Sequence, residues 1–276
     1  MFDFLSLSFM QRGLIGAIIT GGCCSLIGVF VVLRGMSYVG AGIAHGCLAG
    51  VALAFLLGWN PLLLAVISAL LMVILIELLN RKTSLRMDTS IGVMFSLVMA
   101  LAVLFIGMLK RYTPDIMSYL FGNLLGVTAF DLWVMGGVGL AVALIIFLLF
   151  KEFQFSTFDP EMAEVSGIPA SFISLLLTML MGLTIVISLQ AVGELLVLAL
   201  IVLPASIAYQ LTRSLRRMIV IAVSIGILTS VTGLIAAFYL DAPTGSTVVL
   251  LLGMIFFTVL ILKSKRPVPV LPKTGL

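Results

Sequence analysis

The stretch RGMSYVGAGIAHGCLAGVALAF, residues 34–55, decides how this chain folds. Beyond Arg34 its ionisable residues are Tyr38, His45 and Cys47, and everything else is small or apolar. A run of about 20 such residues matches the thickness of a bilayer and reads as a membrane span. The whole chain has the same character: 62% of its 276 residues are hydrophobic, 9% are charged, and mean hydropathy is +1.34. That balance excludes a soluble domain with a solvated surface. Nine candidate spans follow, at 13–33, 36–58, 61–80, 89–109, 131–150, 171–190, 192–211, 217–240 and 245–262. No charged break separates the sixth from the seventh, so the count is eight or nine. The fold class expected is an all-α polytopic membrane protein, with residues 1–276 forming one membrane domain.

Charge sets the expected orientation. If the C-terminus is cytoplasmic, the inner segments hold Arg34, Arg81, Lys82, Arg86, Lys151, Arg213, Arg216, Arg217, Lys263, Lys265, Arg266 and Lys273, which is 12 of 15 basic residues. Arg12, Lys110 and Arg111 stay outside. Such a bias predicts N-out, C-in by the positive-inside rule. The net charge of +4 is therefore a matter of loop position and gives no argument for nucleic acid. Asp3, with no base before Arg12, does not suit a cleavable signal peptide, so the N-terminus is expected in the mature protein. Cys23, Cys24 and Cys47 lack metal-ligand spacing and read as packing residues.

Two segments do not read as spans. KEFQFSTFDPEMAEVSGIP, residues 151–169, has an acidic surplus from Glu152, Asp159, Glu161 and Glu164. Pro160 suits a first helical turn, and Gly167 with Pro169 ends the segment. It reads as a short helix on the cytoplasmic face or as a solvated loop. PDIMSYLFGNLLGVTAFD, residues 114–131, is apolar but short, and reads as an interfacial or re-entrant segment on the outer side.

His45 is the only histidine of the chain and the tenth residue of its span, which places it near mid-membrane. Ionisable groups at that depth are costly and face a cavity or the bundle interior. A neutral imidazole can ligate a divalent metal; it can equally be a packing group hydrogen-bonded to a neighbouring helix. Gly42, Gly46 and Gly50 form GxxxGxxxG, which permits close helix packing and is compatible with room for an ion. Glu194 is the one carboxylate inside an uninterrupted apolar stretch, either a second ligand or an acid on a helix's first turn. Glu77, four residues before Arg81, reads as a helix-end ion pair, and Asp88 as a helix-start acid. The 15 methionines are scattered filler. GxxxxGK[ST], a nucleophile elbow and HExxH are all missing, so the chain has no visible hydrolytic machinery and is not expected to be an enzyme.

Six stretches, in this order and spacing, resemble the membrane permeases of ATP-binding cassette importers for manganese, zinc and iron: VVLRGMSYVGAGIAHGCLAGVAL (31–53), MDTSIGVMFS (87–96), DIMSYLFGNLLGVTAFDL (115–132), FDPEMAEVSGI (158–168), VGELLVLALIVLPASIA (192–208) and YLDAPTGSTVVL (239–250). In that family the second span resembles R-x-M-x-x-x-G-D-x-x-x-H, whose acid and histidine face the ion pathway. Arg34, Met36, Gly40 and His45 match, but Ala41 stands where the acid belongs. The resemblance thus implies His45 as a metal ligand; Glu194 falls where many members of that family carry an apolar or small residue, and the expectation is that it partly replaces the missing acid. It also implies that 151–169 holds a coupling helix, matched at Asp159, Ala163 and Gly167 and carrying Glu161, which docks on an ATPase subunit. The partners implied are that ATPase, an extracytoplasmic metal-binding protein and a second permease copy, identical or not, in a prokaryotic plasma membrane. The cargo implied is a divalent metal ion, with no covalently bound cofactor. The rivals are an ion-coupled secondary transporter acting alone and an ATP-driven permease for a chelated metal or cofactor.

Overall fold

A computed structural model describes residues 8–82, 87–109 and 126–264. Among the described residues eleven helices follow one another without a strand: α1 (Ser8–Leu33), α2 (Val39–Leu57), α3 (Pro61–Lys82), α4 (Met87–Met108), α5 (Ala129–Leu148), α6 (Phe150–Phe158), α7 (Pro160–Val165), α8 (Ala170–Val192), α9 (Glu194–Leu211), α10 (Leu215–Tyr239) and α11 (Thr244–Ser264). All except α6 and α7 are long and apolar enough to cross a membrane, which makes nine spans. The unmarked sixth-to-seventh boundary is made by Gly193, whose φ of 80° and ψ of 165° end α8 and start α9 without a charged residue. Only glycine adopts that conformation readily. The capping role expected of Asp88, the side-chain pair Glu77–Arg81 and most of the 114–131 segment lie outside what is described. The end of that segment caps α5: Thr128 Oγ1 accepts from the Asp131 N–H at 3.2 Å while Asp131 accepts from the Thr128 N–H at 3.0 Å.

Lipid is as apolar as leucine, so membrane helices associate by close packing rather than by hydrophobic contrast. Small residues therefore mark the contacts. A side chain at Gly28 would strike the Ile201 carbonyl, and one at Gly21 the Gly226 carbonyl, so α1 lies directly against α9 and α10. Gly50 abuts Ser68 and the Leu64 carbonyl on α3. The result is a centre of α1, α2, α8 and α9 flanked by exposed helices. In α2, 72% of the spanning window is buried; in α4 and α11 the figure is 11%, leaving long apolar faces for lipid or another chain.

One irregularity in the centre is repaired by a side chain. Pro204 sits inside α9 and has no N–H to give to the Leu200 carbonyl. Water is absent at such depth, so that oxygen needs another donor. Ser25 of α1 supplies it, its hydroxyl donating to the Leu200 carbonyl at 3.3 Å.

Candidate functional site

α2 begins after a tight turn. The Gly35 N–H donates to the Val32 carbonyl at 3.2 Å and the Met36 N–H to the Val31 carbonyl at 3.0 Å, with Gly35 at φ 67°. This glycine-ended helix stop reverses the chain within a few residues, and α2 then places its side chains on two distinct faces. The glycine face, Gly42, Gly46 and Gly50, packs on Met72 and Ser68 of α3 and Ile91 of α4. Close helix packing is thus its role, and it leaves no ion-sized space on that side. A second face carries Tyr38, Ala41 and His45, and these side chains are exposed or half-buried.

On that face His45 meets Glu194. His45 Nδ1 lies 2.7 Å from Glu194 Oε1 and 2.9 Å from the Ala41 carbonyl. Phe95 of α4 and the imidazole meet in a tilted, edge-type contact, with ring centroids 4.7 Å apart. Glu194 is the first residue of α9 and is buried at 7% exposure. The first-turn reading of the sequence holds: the carboxylate opens α9, where the helix dipole favours it, directly after the break at Gly193, and is buried in the bundle. α2 and α9 run antiparallel here, with Leu198 of α9 against Gly40 and Glu194 against His45. Glu194 thus approaches, from another helix, the imidazole nitrogen that also faces the Ala41 carbonyl.

With Nδ1 so engaged, Nε2 has no hydrogen-bond partner among the described residues. A carboxylate on one imidazole nitrogen fixes the tautomer and strengthens the other as a metal ligand. Among the described residues no group of three or more His, Cys, Asp or Glu side chains converges. Among the described residues the site thus brings together one imidazole and one carboxylate. Of the cysteines, Cys24 Sγ lies 3.4 Å from Ser188 Oγ, and Cys24 and Cys47 are fully buried.

At the Arg34 end of the bundle, α6 and α7 form an exposed elbow. Asp159 caps α7, accepting from the Met162 N–H at 3.0 Å. Ala163 is fully buried, and Gly167, at φ 84°, ends the turn. Three of the four residues that the sequence singles out here, Asp159, Ala163 and Gly167, shape the helix, while Glu161 faces outward. Phe158, Met162, Glu164 and Val165 are exposed beside it, the last 84% exposed. An apolar trio within an acidic rim suits docking, and the exposure of Phe158, Met162 and Val165 carries that signal more directly than a four-residue repeat does.

The model of the ABC 3 transport family matches residues 6–263. The manganese transport system membrane protein MntC of Halalkalibacterium halodurans is 36% identical over 254 residues, covering 92% of this chain and 87% of that protein. The chelated iron transport system membrane protein YfeD of Yersinia pestis is 34% identical over 266 residues, covering 94% and 87%. Among solved structures, PsaBC from Streptococcus pneumoniae in complex with Fab matches at a TM-score of 0.83 and 35% identity, over 93% of this chain and 94% of the other. With the family matched nearly end to end and the nine apolar helices in place, the chain belongs to the ABC 3 transport family of ATP-binding cassette metal-importer permeases and is an integral protein of the plasma membrane.

Proposed function

We propose that this chain passes a divalent metal ion, manganese or ferrous iron foremost, between its α2 and α9 helices, and that His45 and Glu194 bind the ion on the way. The observation that carries the reading is the 2.7 Å contact of His45 Nδ1 with Glu194 Oε1 inside two membrane spans. A buried carboxylate beside a histidine supplies negative charge against a dication where the bilayer supplies none. One imidazole with one hard oxygen donor suits manganese and ferrous iron, and the names of MntC and YfeD agree with that choice. In this reading the chain is oriented N-out, C-in, receives its ion from an extracytoplasmic binding protein, pairs with a second permease copy and is driven by a separate ATPase docked on α7.

The test is uptake into proteoliposomes holding the permease, its ATPase and its binding protein, offered manganese(II), iron(II) and zinc(II) in turn. ATP-dependent uptake of manganese or iron is expected, with a fall of at least about tenfold in His45→Ala and in Glu194→Gln at equal incorporation. Wild-type uptake in both variants would remove the pair from the pathway. Uptake that continues without the ATPase would instead favour an ion-coupled carrier.

A further inference from the structure

Arg34 stands in the turn between α1 and α2, and its guanidinium makes three hydrogen bonds to hydroxyls on two other helices. Nε donates to Thr157 Oγ1 at 3.1 Å and Nη2 to Ser156 Oγ at 3.3 Å, both on α6. Nη1 donates to Ser174 Oγ at 2.9 Å, on the first turns of α8. Ser156 in turn reaches the Ala170 carbonyl at the start of α8, at 3.5 Å. Beside this fan, Phe30 of α1 packs on Phe153 of α6, both fully buried and with ring centroids 5.8 Å apart. The helices that Arg34 bridges are those that flank α7, and α7 is held by its own neighbours: the Ile168 N–H donates to the Ala163 carbonyl at 2.9 Å and the Ala163 N–H to the Asp159 carbonyl at 3.0 Å. A push on α7 therefore travels as a push on the end of α6 and the start of α8.

The partners of Arg34 are unusual for a half-buried cation. Burial pushes its guanidinium down to about 10, with the charge of Glu77 opposing, so it keeps its proton at neutral pH. A static ion of this kind is ordinarily matched by a carboxylate in direct contact. Among the described residues none lies within ion-pair distance of Arg34, and its direct partners are neutral hydroxyls. Hydroxyls rotate and exchange acceptors, so a planar fork with five donors can remain bonded to both helices while they shift. On its other side Arg34 is covalently continuous, through the tight Gly35 turn, with the helix that holds His45 eleven residues on.

We propose that Arg34 is the positioning residue that transmits movement of α7 to α2, so that hydrolysis at a docked ATPase changes the setting of His45. This goes beyond binding of the ion and rests on the reading of the chain as an ATP-driven metal permease. Arg34 touches neither ion nor ATPase. Its loss uncouples the two rather than abolishing either.

The measurement is the number of ATP molecules hydrolysed per manganese(II) ion taken up by the full complex in proteoliposomes, for wild type, Arg34→Ala, Arg34→Lys and Ser174→Ala. In Arg34→Ala the ATPase subunit still co-purifies and hydrolysis persists, while ATP consumed per ion rises at least about tenfold, within the range of site-to-site coupling. Arg34→Lys restores only part of the ratio, because a point-charge ammonium cannot span two helices as the fork does. Ser174→Ala, which removes one acceptor and spares the charge, raises the ratio by a few-fold. A wild-type ratio in Arg34→Ala, or uptake and hydrolysis falling in step, overturns the proposal. If Arg34→Ala fails to assemble, a wild-type ratio in Ser174→Ala overturns it by itself. Absence of ATP-driven uptake in the wild type, with iron(II) and zinc(II) also tried, would sink the permease reading, and this role of Arg34 with it.

Discussion

Ser25 shows how one hydroxyl can decide a membrane core. It bonds a carbonyl that Pro204 leaves without its usual donor, at a depth where an orphaned acceptor finds no water. Ser25→Ala should destabilise the protein by about 1–2 kcal/mol. In the Pro204→Ala background, where the backbone N–H returns, the same substitution should cost much less. Thermal unfolding of the four proteins in detergent checks this, and equal shifts in both backgrounds would refute it. The His45–Glu194 contact is the other decision taken at this scale, and it was only half legible. His45 stands out in the sequence as a lone imidazole in a span. Glu194 stands out as a lone carboxylate, and the acid absent at Ala41 is the reason to set it beside His45; a sequence cannot say which helices face one another, so the contact itself had to come from the structure.

At the scale of the element, the break between α8 and α9 does most to build the site. Gly193 is held at φ 80° and ψ 165°, a region that a side chain reaches only with strain of about 1–3 kcal/mol. It lets α8 stop and Glu194 enter the bundle on a fresh first turn. Gly193→Ala should therefore reduce metal uptake about as much as Glu194→Gln, while the complex still assembles with its ATPase. Normal uptake in this variant would show that the break is dispensable. The glycine stripe of α2 teaches the complementary lesson. Its spacing is compatible in sequence both with packing and with a passage for an ion; the side chain of Met72, 3.3 Å from where a Cβ at Gly46 would stand, settles it as packing. The spacing of glycines says that something comes close and is silent about what.

At the scale of the whole molecule, α7 is the surface through which force would enter. Phe158, Met162 and Val165 are exposed there beside Glu161 and Glu164. Met162→Asp or Val165→Asp should weaken co-purification of the ATPase by at least about tenfold, as expected where an apolar anchor at the centre of an interface is lost, and leave the melting temperature of the permease alone unchanged. Undiminished co-purification would move the docking site elsewhere. By itself the sequence determined the class of the molecule: composition and run length demanded helices in a membrane, because a bilayer permits few other backbones, and a short acidic element between two spans announced itself through Pro160 and Gly167. Only the tertiary structure decided that the described residues form nine candidate spans rather than eight, that His45 meets a carboxylate 149 residues further along the chain, and that Arg34 reaches across to α6 and α8. The physical reason is the same in each case. Local periodicity and propensity act within one helix, whereas the pairing of charges and hydroxyls depends on which helices pack together, and that is fixed by the summed fit of many small surfaces.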